Sequence, residues 1–168
     1  MEKKSGKYMT LVVDPPWPHQ TKMHMPNAIN KTIYTPKMPY GPISLKTLAE
    51  MDINRWAAPN ALLFLWSTHK MLPHSFNLMK SWGFDYQCCL TWNKNAGPGM
   101  GGPFIYSSEF VLFGYRDAKV IKQHVGYGRF SAVFEFPRRG HSEKPREFYQ
   151  AIRKITPAPR IDQKKKKR

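Results

Sequence analysis

Short apolar runs of strand length recur along the chain and are separated by segments that look helical. The runs are rich in aliphatic, β-branched and aromatic residues, which favour strands. They predict strands over residues 9–14, 61–66, 84–92, 107–115 and 131–137. A last run begins like a strand at Arg160 and then gives way to lysines.

Three segments between these runs carry helix signals. Residues 44–51 begin with Ser44, a capping residue, and residues 68–83 have Pro73 in the first turn and Gly83 at the end. Residues 142–155 form the third, with Ser142 as the expected cap. Strands alternating with helices predict an α/β domain with a mostly parallel central sheet, in which ligands bind beyond the carboxyl ends of the strands.

Two segments show no clear hydrophobic periodicity, helical or strand-like. Residues 15–42 are rich in Pro, Asn, Thr and Lys, which predicts a long functional or mobile loop. The sequence "GPGMGG" at 97–102 fits the dinucleotide-binding pattern G-x-G-x-x-G, but that pattern requires a helix after it. A strand-like run follows here, so we interpret the segment as a substrate-side loop, with a simple linker as the open alternative.

Length and composition fit one domain, residues 1–162, followed by a basic tail, residues 163–168. No apolar run approaches the length of a membrane span, and the N-terminus lacks the apolar region of a secretory signal. Cys88 and Cys89 are adjacent and do not suit a disulfide framework. We therefore expect a cytoplasmic protein with no membrane partner.

The charge balance is strongly basic. Lys and Arg total 27 against 11 acidic residues, a formal net charge of +16. Such a field attracts phosphate backbones, so nucleic acid is the favoured partner. A small basic protein without a nucleic-acid role remains the alternative. The His and Cys residues lack metal-ligand spacing, and we predict no metal site.

The first strand ends in "DPPW", residues 14–17, an arrangement that can hold a planar ring bearing an amine. The Asp14 carboxylate can accept one hydrogen bond from the amine, and the Pro15 carbonyl, in a rigid segment, can accept a second. Trp17 offers a face on which a base could stack. An amine held in this way could attack an electrophilic methyl group in line. A rigid Pro-Pro turn beside a core tryptophan is the alternative interpretation.

Further motifs extend this pattern. "YGPIS", "LLFLW", "WGFDY", "LTWNK", "SSEFVLFGYR" and "HSEKPREFYQAI" follow "DPPW" over roughly residues 10–162. Together and in this order they resemble the DPPW-type adenine-N6 methyltransferase family. That family includes the messenger-RNA N6-adenosine methyltransferase and its bacterial and phage DNA relatives.

The resemblance implies a Rossmann-like domain that transfers a methyl group from S-adenosylmethionine to the N6 amine of adenine in DNA, with RNA less favoured. The residues that it assigns are catalytic Asp14, Pro15, Pro16 and Trp17; cofactor-binding Asp14, Pro15, Ser142 and Lys144; and family candidates for substrate binding, Trp17, Tyr40 and Glu109. Lys144, expected in the first turn of a helix, would need an anion beside it there. Arg138 and Arg139 lie near the expected ligand edge and could meet phosphates or be solvated.

The chain departs from the family pattern after its last helix. Family members continue into a strand like "LFARR" and a Trp-Gly-Asn-type motif that close around the ribose and adenine of the cofactor, whereas this chain has "RIDQKKKKR". We therefore expect the last strand or strands to be truncated, and a protein partner could complete the domain. The alternative function is a catalytically inactive nucleic-acid-binding remnant or the non-catalytic subunit of a heterodimer.

Overall fold

The computed structural model describes residues 7–18, 43–95, 100–101, 104–125, 130–137, 140 and 143–163. Several predictions lie outside these residues. They are most of the long loop (19–42), most of the "GPGMGG" segment (97–99 and 102), the basic tail beyond residue 163, and the site residues Tyr40, Arg138, Arg139 and Ser142.

The strands and helices alternate along the chain, as expected for an α/β domain. In chain order they are β1 (Tyr8–Val13), α1 (Leu45–Ala49), a short 3₁₀ helix (Ile53–Arg55), β2 (Ala57–Ser67), α2 (Leu72–Ser81), β3 (Asp85–Asn93), β4 (Met100–Gly101), β5 (Phe104–Ile105), β6 (Ser108–Tyr115), α3 (Ala118–His124), β7 (Val133–Glu135), α4 (Arg146–Ile155) and β8 (Arg160–Gln163).

The central sheet has six strands in the order β7-β3-β6-β2-β1-β8. β1 pairs in parallel with β2 and β8, and β3 pairs in parallel with β7, whereas β6 is antiparallel to both of its neighbours. Every strand of this sheet except β6 therefore runs in the same direction. The prediction of an α/β domain with a mostly parallel sheet is confirmed.

Both faces of the sheet are buried. On one face Leu63 and Leu65 of β2 belong to the same buried cluster as Leu48 of α1 and residues of α2. On the other face Phe64 and Trp66 belong to a second cluster with residues of α3 and α4, Phe148 among them. Because successive side chains of a strand point to opposite faces, burial on both sides requires the continuous apolar run that β2 shows.

Local signals place several element ends where the sequence predicted them. The Ser44 side chain caps α1 by accepting a hydrogen bond from the Thr47 backbone N–H at 3.0 Å. Gly83 has φ +74, a conformation that glycine adopts at little cost, just after α2. The run that begins at Arg160 is indeed a strand and pairs with β1.

The start of α4 corrects the prediction for the third helix. α4 begins at Arg146, and its N-cap is Pro145, which has φ −64 and ψ 132 and is therefore extended. A residue before proline is disfavoured in the helical region, so the helix cannot readily extend back through Lys144. Ser142 is not the N-cap of α4, and Lys144 precedes the helix rather than lying in its first turn.

The helix α3 was not predicted. It begins after Asp117, whose side chain accepts a hydrogen bond from the Lys119 backbone N–H at 2.9 Å. Aspartate is a favoured N-cap residue, but the helix that follows Asp117 is short. No helix in the described part of the chain is long and apolar enough to cross a membrane.

Gly114 of β6 offers a test of the packing between β6, β3 and α2. A Cβ atom at this position would lie 2.5 Å from the Asp85 carbonyl oxygen and 2.9 Å from the Met79 Sδ. Since a backbone atom cannot easily move, we expect Gly114→Ala to lower the free energy of unfolding in urea by about 2–3 kcal/mol.

Gly83→Ala is the matched control, because a Cβ atom there meets nothing within 4 Å. Its only cost is the left-handed backbone, about 1 kcal/mol. A Gly114→Ala protein no less stable than Gly83→Ala would contradict the tight packing at β6.

Candidate active site

Four charged side chains meet at the carboxyl edge of the sheet. Asp14 follows β1, Lys94 follows β3, and Lys144 immediately precedes the cap of α4. Glu109 lies at the beginning of β6, which reaches the same edge because that strand runs in the opposite direction. We call these four residues the charge cluster.

The charge cluster is a chain of alternating charges. The Lys144 ammonium nitrogen lies 2.5 Å from Glu109 Oε2 and 3.7 Å from Asp14 Oδ1, and Lys94 Nζ lies 3.4 Å from Glu109 Oε1. The side chains of Asp14, Glu109 and Lys144 are only 14%, 16% and 12% exposed. Water screens such charges poorly, so each is stabilised chiefly by its opposite neighbours.

The pKa shifts in the cluster follow from these contacts. Burial alone would lower the pKa of Lys144, but the carboxylates of Asp14 and Glu109 outweigh burial and raise it. Burial would likewise raise the pKa of Glu109, but Lys144 and then Lys94 outweigh burial and lower it. Both groups are therefore firmly charged at neutral pH.

An aromatic layer lies beneath the cluster. The Lys144 ammonium is 4.9 Å from the centroid of the Trp66 ring, a cation–π contact. Trp66 is fully buried and packs edge-on against Trp92 at 5.9 Å and Phe148 at 4.9 Å. Trp66 and Trp92 are thus core residues, the commoner fate of tryptophans at strand ends, and Trp66 supports the site from below.

The "DPPW" turn presents its first two residues differently from its last. Asp14 joins the charge cluster, and the Pro15 carbonyl accepts a hydrogen bond from the Trp17 backbone N–H at 2.8 Å. A carbonyl oxygen has a second lone pair, so Pro15 keeps the capacity to accept another hydrogen bond. Pro16 is partly buried and follows Pro15 in this tight turn.

The structure corrects the role predicted for Trp17. The Trp17 side chain is 4% exposed, and its indole N–H donates to the Trp66 carbonyl at 3.0 Å. It packs with Val13 and Leu65 in the core instead of offering a face to a base. Trp17 therefore fixes the turn to the end of β2, and a stacking surface must come from elsewhere.

His69 and Tyr106 form such an aromatic pair near the same edge, which the sequence analysis missed. Their rings stack with centroids 4.3 Å apart and an interplanar angle of 18°, and Phe110 packs edge-on against His69 at 4.7 Å. The His69 Nε2 lies 3.0 Å from the Ser108 hydroxyl oxygen. Burial, aided by the charge of Lys94, lowers the pKa of His69, so the imidazole is neutral at pH 7.

One more side chain approaches the cluster, from the helix that follows Lys144. Tyr149 of α4 is buried, and its pKa is raised by burial and by the nearby carboxylates of Asp162 and Asp14. Its hydroxyl therefore stays protonated at neutral pH and can donate a hydrogen bond. Neither Tyr149 nor Lys94 carries a local sequence signal, because only the packing of distant elements brings them here.

A polar rim closes the end of β3 and β7. Asn93 and Asn95 donate their side-chain N–H groups to the two carboxylate oxygens of Glu135, at 2.8 and 3.0 Å. These hydrogen bonds from Asn95 and Asn93 lower the pKa of Glu135. Among the described residues, no group of three or more His, Cys, Asp or Glu side chains could hold a metal ion.

Glu109→Gln tests the energetics of the charge cluster. The substitution keeps the shape of the side chain but leaves two poorly solvated ammonium groups with less opposing charge. We expect it to lower the free energy of unfolding by about 3 kcal/mol at pH 7, measured in urea. The pKa of Glu109 is lower in the folded protein than in the unfolded chain. The difference in free energy of unfolding between the wild type and Glu109→Gln should therefore be constant above about pH 4.3 and become smaller as the pH falls further.

Glu143→Gln is the control, since Glu143 is exposed and its pair with Arg146 is 3.7 Å long. We expect the free energy of unfolding of this variant to change by less than about 0.5 kcal/mol. A Glu109→Gln protein whose stability deficit stays the same down to pH 2 would show that the carboxylate charge is not what stabilises the cluster.

Comparison with known proteins identifies the family of the chain. The MT-A70 family model matches residues 8–165, a range that contains the entire sheet and the charge cluster. A protein described as the type II methyltransferase M.MunI, from a Mycoplasma species, is 28% identical over 163 residues, which cover 90% of this chain and 69% of that protein. The resemblance drawn from "DPPW" and the motifs after it is confirmed, and this chain belongs to the MT-A70 family of methyltransferases.

Proposed function

We propose that this chain transfers the methyl group of S-adenosylmethionine to the exocyclic N6 amine of adenine in DNA. One observation carries the proposal: consecutive acceptors, the Asp14 carboxylate and the Pro15 carbonyl, lie at the carboxyl end of β1 beside the buried ammonium of Lys144. The edge of the sheet to which they belong is where ligands of such folds bind.

Asp14 and Pro15 would hold the amine. An NH₂ group has two hydrogens, and each of these neighbouring residues offers an oxygen that accepts hydrogen bonds. Two acceptors on one amine draw its nitrogen toward tetrahedral geometry and leave the lone pair pointing away from the protein. Because the Trp17 N–H and the buried Trp17 indole fix the turn, the acceptors are already positioned before the base arrives.

The charge cluster fits the amino-acid end of S-adenosylmethionine, which carries one carboxylate and one ammonium. Lys144 would hold the carboxylate, since an ammonium has three N–H donors and its carboxylate partners among the described residues are two, Asp14 and Glu109. Asp14 and Glu109 would favour the cofactor's positive charge. When bound, the cofactor supplies an electrophilic methyl group to the site.

The amine must lose a proton when its nitrogen gains the methyl group. Asp14 would already accept a hydrogen bond from that amine, so its carboxylate is positioned to take the proton and pass it to water. Glu109 is less suited to this step, because Lys144 and Lys94 hold its pKa below the ordinary range and make it a weaker base. We therefore assign Glu109 to positioning Lys144.

The polymer is assigned from charge and from the relative. A net charge of +16 favours a polyanion. DNA is preferred to RNA because small stand-alone members of the family tend to be bacterial or phage proteins, and the similar Mycoplasma protein is described as a type II methyltransferase. We place the reaction in the cytoplasm of a bacterial or phage-infected cell, and the base of a duplex would have to leave the stack to reach Asp14.

Asp14→Ala tests the reaction and its central residue. Loss of one of the two acceptors should lower the rate of N6-methyladenine formation about 100-fold or more, because the amine is no longer oriented. The product is measured by nucleoside mass spectrometry on DNA and RNA incubated with the protein and S-adenosylmethionine.

Asp117→Asn is the matched control, because Asp117 caps α3 beyond the opposite end of β6 and asparagine is an equally good cap. It should retain the wild-type rate. Methylation by Asp14→Ala at the wild-type rate would contradict the role of Asp14. No methylated adenine from the wild type on either polymer would contradict the reaction and favour the non-catalytic alternative.

Lys144→Gln tests the assignment of the cofactor site without requiring turnover. Loss of a charge-assisted hydrogen bond to the cofactor carboxylate should weaken S-adenosylmethionine binding about 10- to 100-fold, measured by isothermal titration calorimetry. Lys154→Gln, on an exposed position near the end of α4, should bind as the wild type does. Equal affinities for both variants would remove Lys144 from the cofactor site.

A further inference from the structure

Among the described residues, the two most exposed large apolar side chains are neighbours on one short strand. Phe104 and Ile105 of β5 are 72% and 66% exposed. Single exposed apolar residues are ordinary on protein surfaces. Two adjacent ones on a strand of two residues, close in sequence to the active site, are less ordinary, and they point to opposite faces of that strand. We call Phe104 and Ile105 the apolar tip.

The apolar tip belongs to a structure separate from the central sheet. β5 pairs antiparallel with β4, Gly101 opposite Phe104 and Met100 opposite Ile105, in a two-stranded sheet of their own. This small sheet lies in the connection between β3 and β6. The exposed side chains of Phe104 and Ile105 are therefore not needed to complete the central core, which leaves them available for a partner.

The connection is anchored at the active site. The Lys94 backbone N–H donates to the Ser107 carbonyl at 2.9 Å, which closes the base of the connection. Lys94 also pairs with Glu109. Tyr106, the residue directly after the apolar tip, stacks on His69. The tip is thus joined to the charge cluster through a few fixed contacts.

The tip is also near the cluster in absolute distance. Glu109 lies five positions after Phe104, and an extended chain spans at most about 3.6 Å per residue, so their Cα atoms lie within about 18 Å of each other. A base that reaches Asp14 would leave a gap in the duplex within a few base steps of this position. An apolar side chain could fill that gap.

The surroundings favour a nucleic acid as the occupant. The chain carries a net charge of +16, and Lys70, next to His69 in the sequence, is exposed. Cations that attract phosphates beside apolar side chains that enter the base stack are the features of proteins that insert wedges into DNA.

We propose that Phe104 inserts between stacked base pairs of duplex DNA and holds open the gap left when the target adenine is extruded toward Asp14. This inference rests on the proposed function, because it assumes that the substrate is a paired adenine. Phe104 has the larger flat surface and would stack on the exposed base pair, while Ile105 points to the opposite face of β5.

The test compares Phe104→Ala with the wild type on the same genomic DNA, native and heat-denatured. Adenines in denatured DNA need no extrusion, so the wedge should matter only for the duplex. We expect N6-methyladenine formation by Phe104→Ala to fall about tenfold on native DNA and to match the wild type on denatured DNA. Phe76→Ala, another exposed phenylalanine that packs on Tyr86 in the far half of β3, should match the wild type on both.

A second measurement is used if the wild type methylates native DNA but not denatured DNA. At the sites that the wild type methylates, permanganate oxidises the thymine left unpaired by the extruded adenine. We expect this reactivity to be lower with Phe104→Ala than with Phe76→Ala at equal occupancy of the DNA. Because Phe104 is exposed, the melting temperature of the variant should equal that of the wild type.

Three results would overturn the proposal that Phe104 inserts into the duplex. One is a Phe104→Ala protein that equals the wild type on native DNA, and another is an equal loss on native and denatured DNA. The third is a wild-type dimer that the substitution converts to monomer in sedimentation velocity, which would make the tip a protein interface. If the wild type forms no N6-methyladenine on any DNA, the proposed function itself fails, and the wedge with it.

Discussion

The ammonium of Lys144 lies between the carboxylates of Asp14 and Glu109, and these three groups come from parts of the chain that meet only in the folded protein. Each charge loses water on folding, and that cost is offset only when its opposite neighbours arrive as well. The end of β1, the start of β6 and the segment before α4 therefore stabilise one another. Assembly of the site and completion of the fold are coupled.

The direction of β6 makes this meeting possible. If β6 ran parallel to its neighbours, Glu109 would begin the strand at the opposite edge of the sheet and Lys144 would lose its closest partner. The reversed strand also lets β3 and β6 be joined directly at the ligand edge, by a connection that carries Tyr106 and the apolar tip. Because β6 is reversed, Glu109 lies at the ligand edge, and the connection that carries the apolar tip lies at the same edge.

Features with a local cause could be predicted from the sequence. The Ser44 cap, the glycine at position 83, the buried run of β2 and the carboxylate at the end of β1 all depend on a few neighbouring residues. Features with a distant cause could not. The burial of Trp17 depends on the Trp66 carbonyl, and the place of Lys94 depends on Glu109. The start of α4 is an exception, because its cause is local: Pro145 disfavours the helical conformation of Lys144.

The hydrogen bond from Lys94 to Ser107 has a consequence for how such enzymes diversify. It closes the connection between β3 and β6 at its base, so the residues beyond it can change in number without altering the register of the strands. Each doubling of a flexible loop costs only about 0.6 kcal/mol of closure entropy. Evolution could therefore exchange this connection, and with it the surface beside the charge cluster, while the cluster itself stays unchanged.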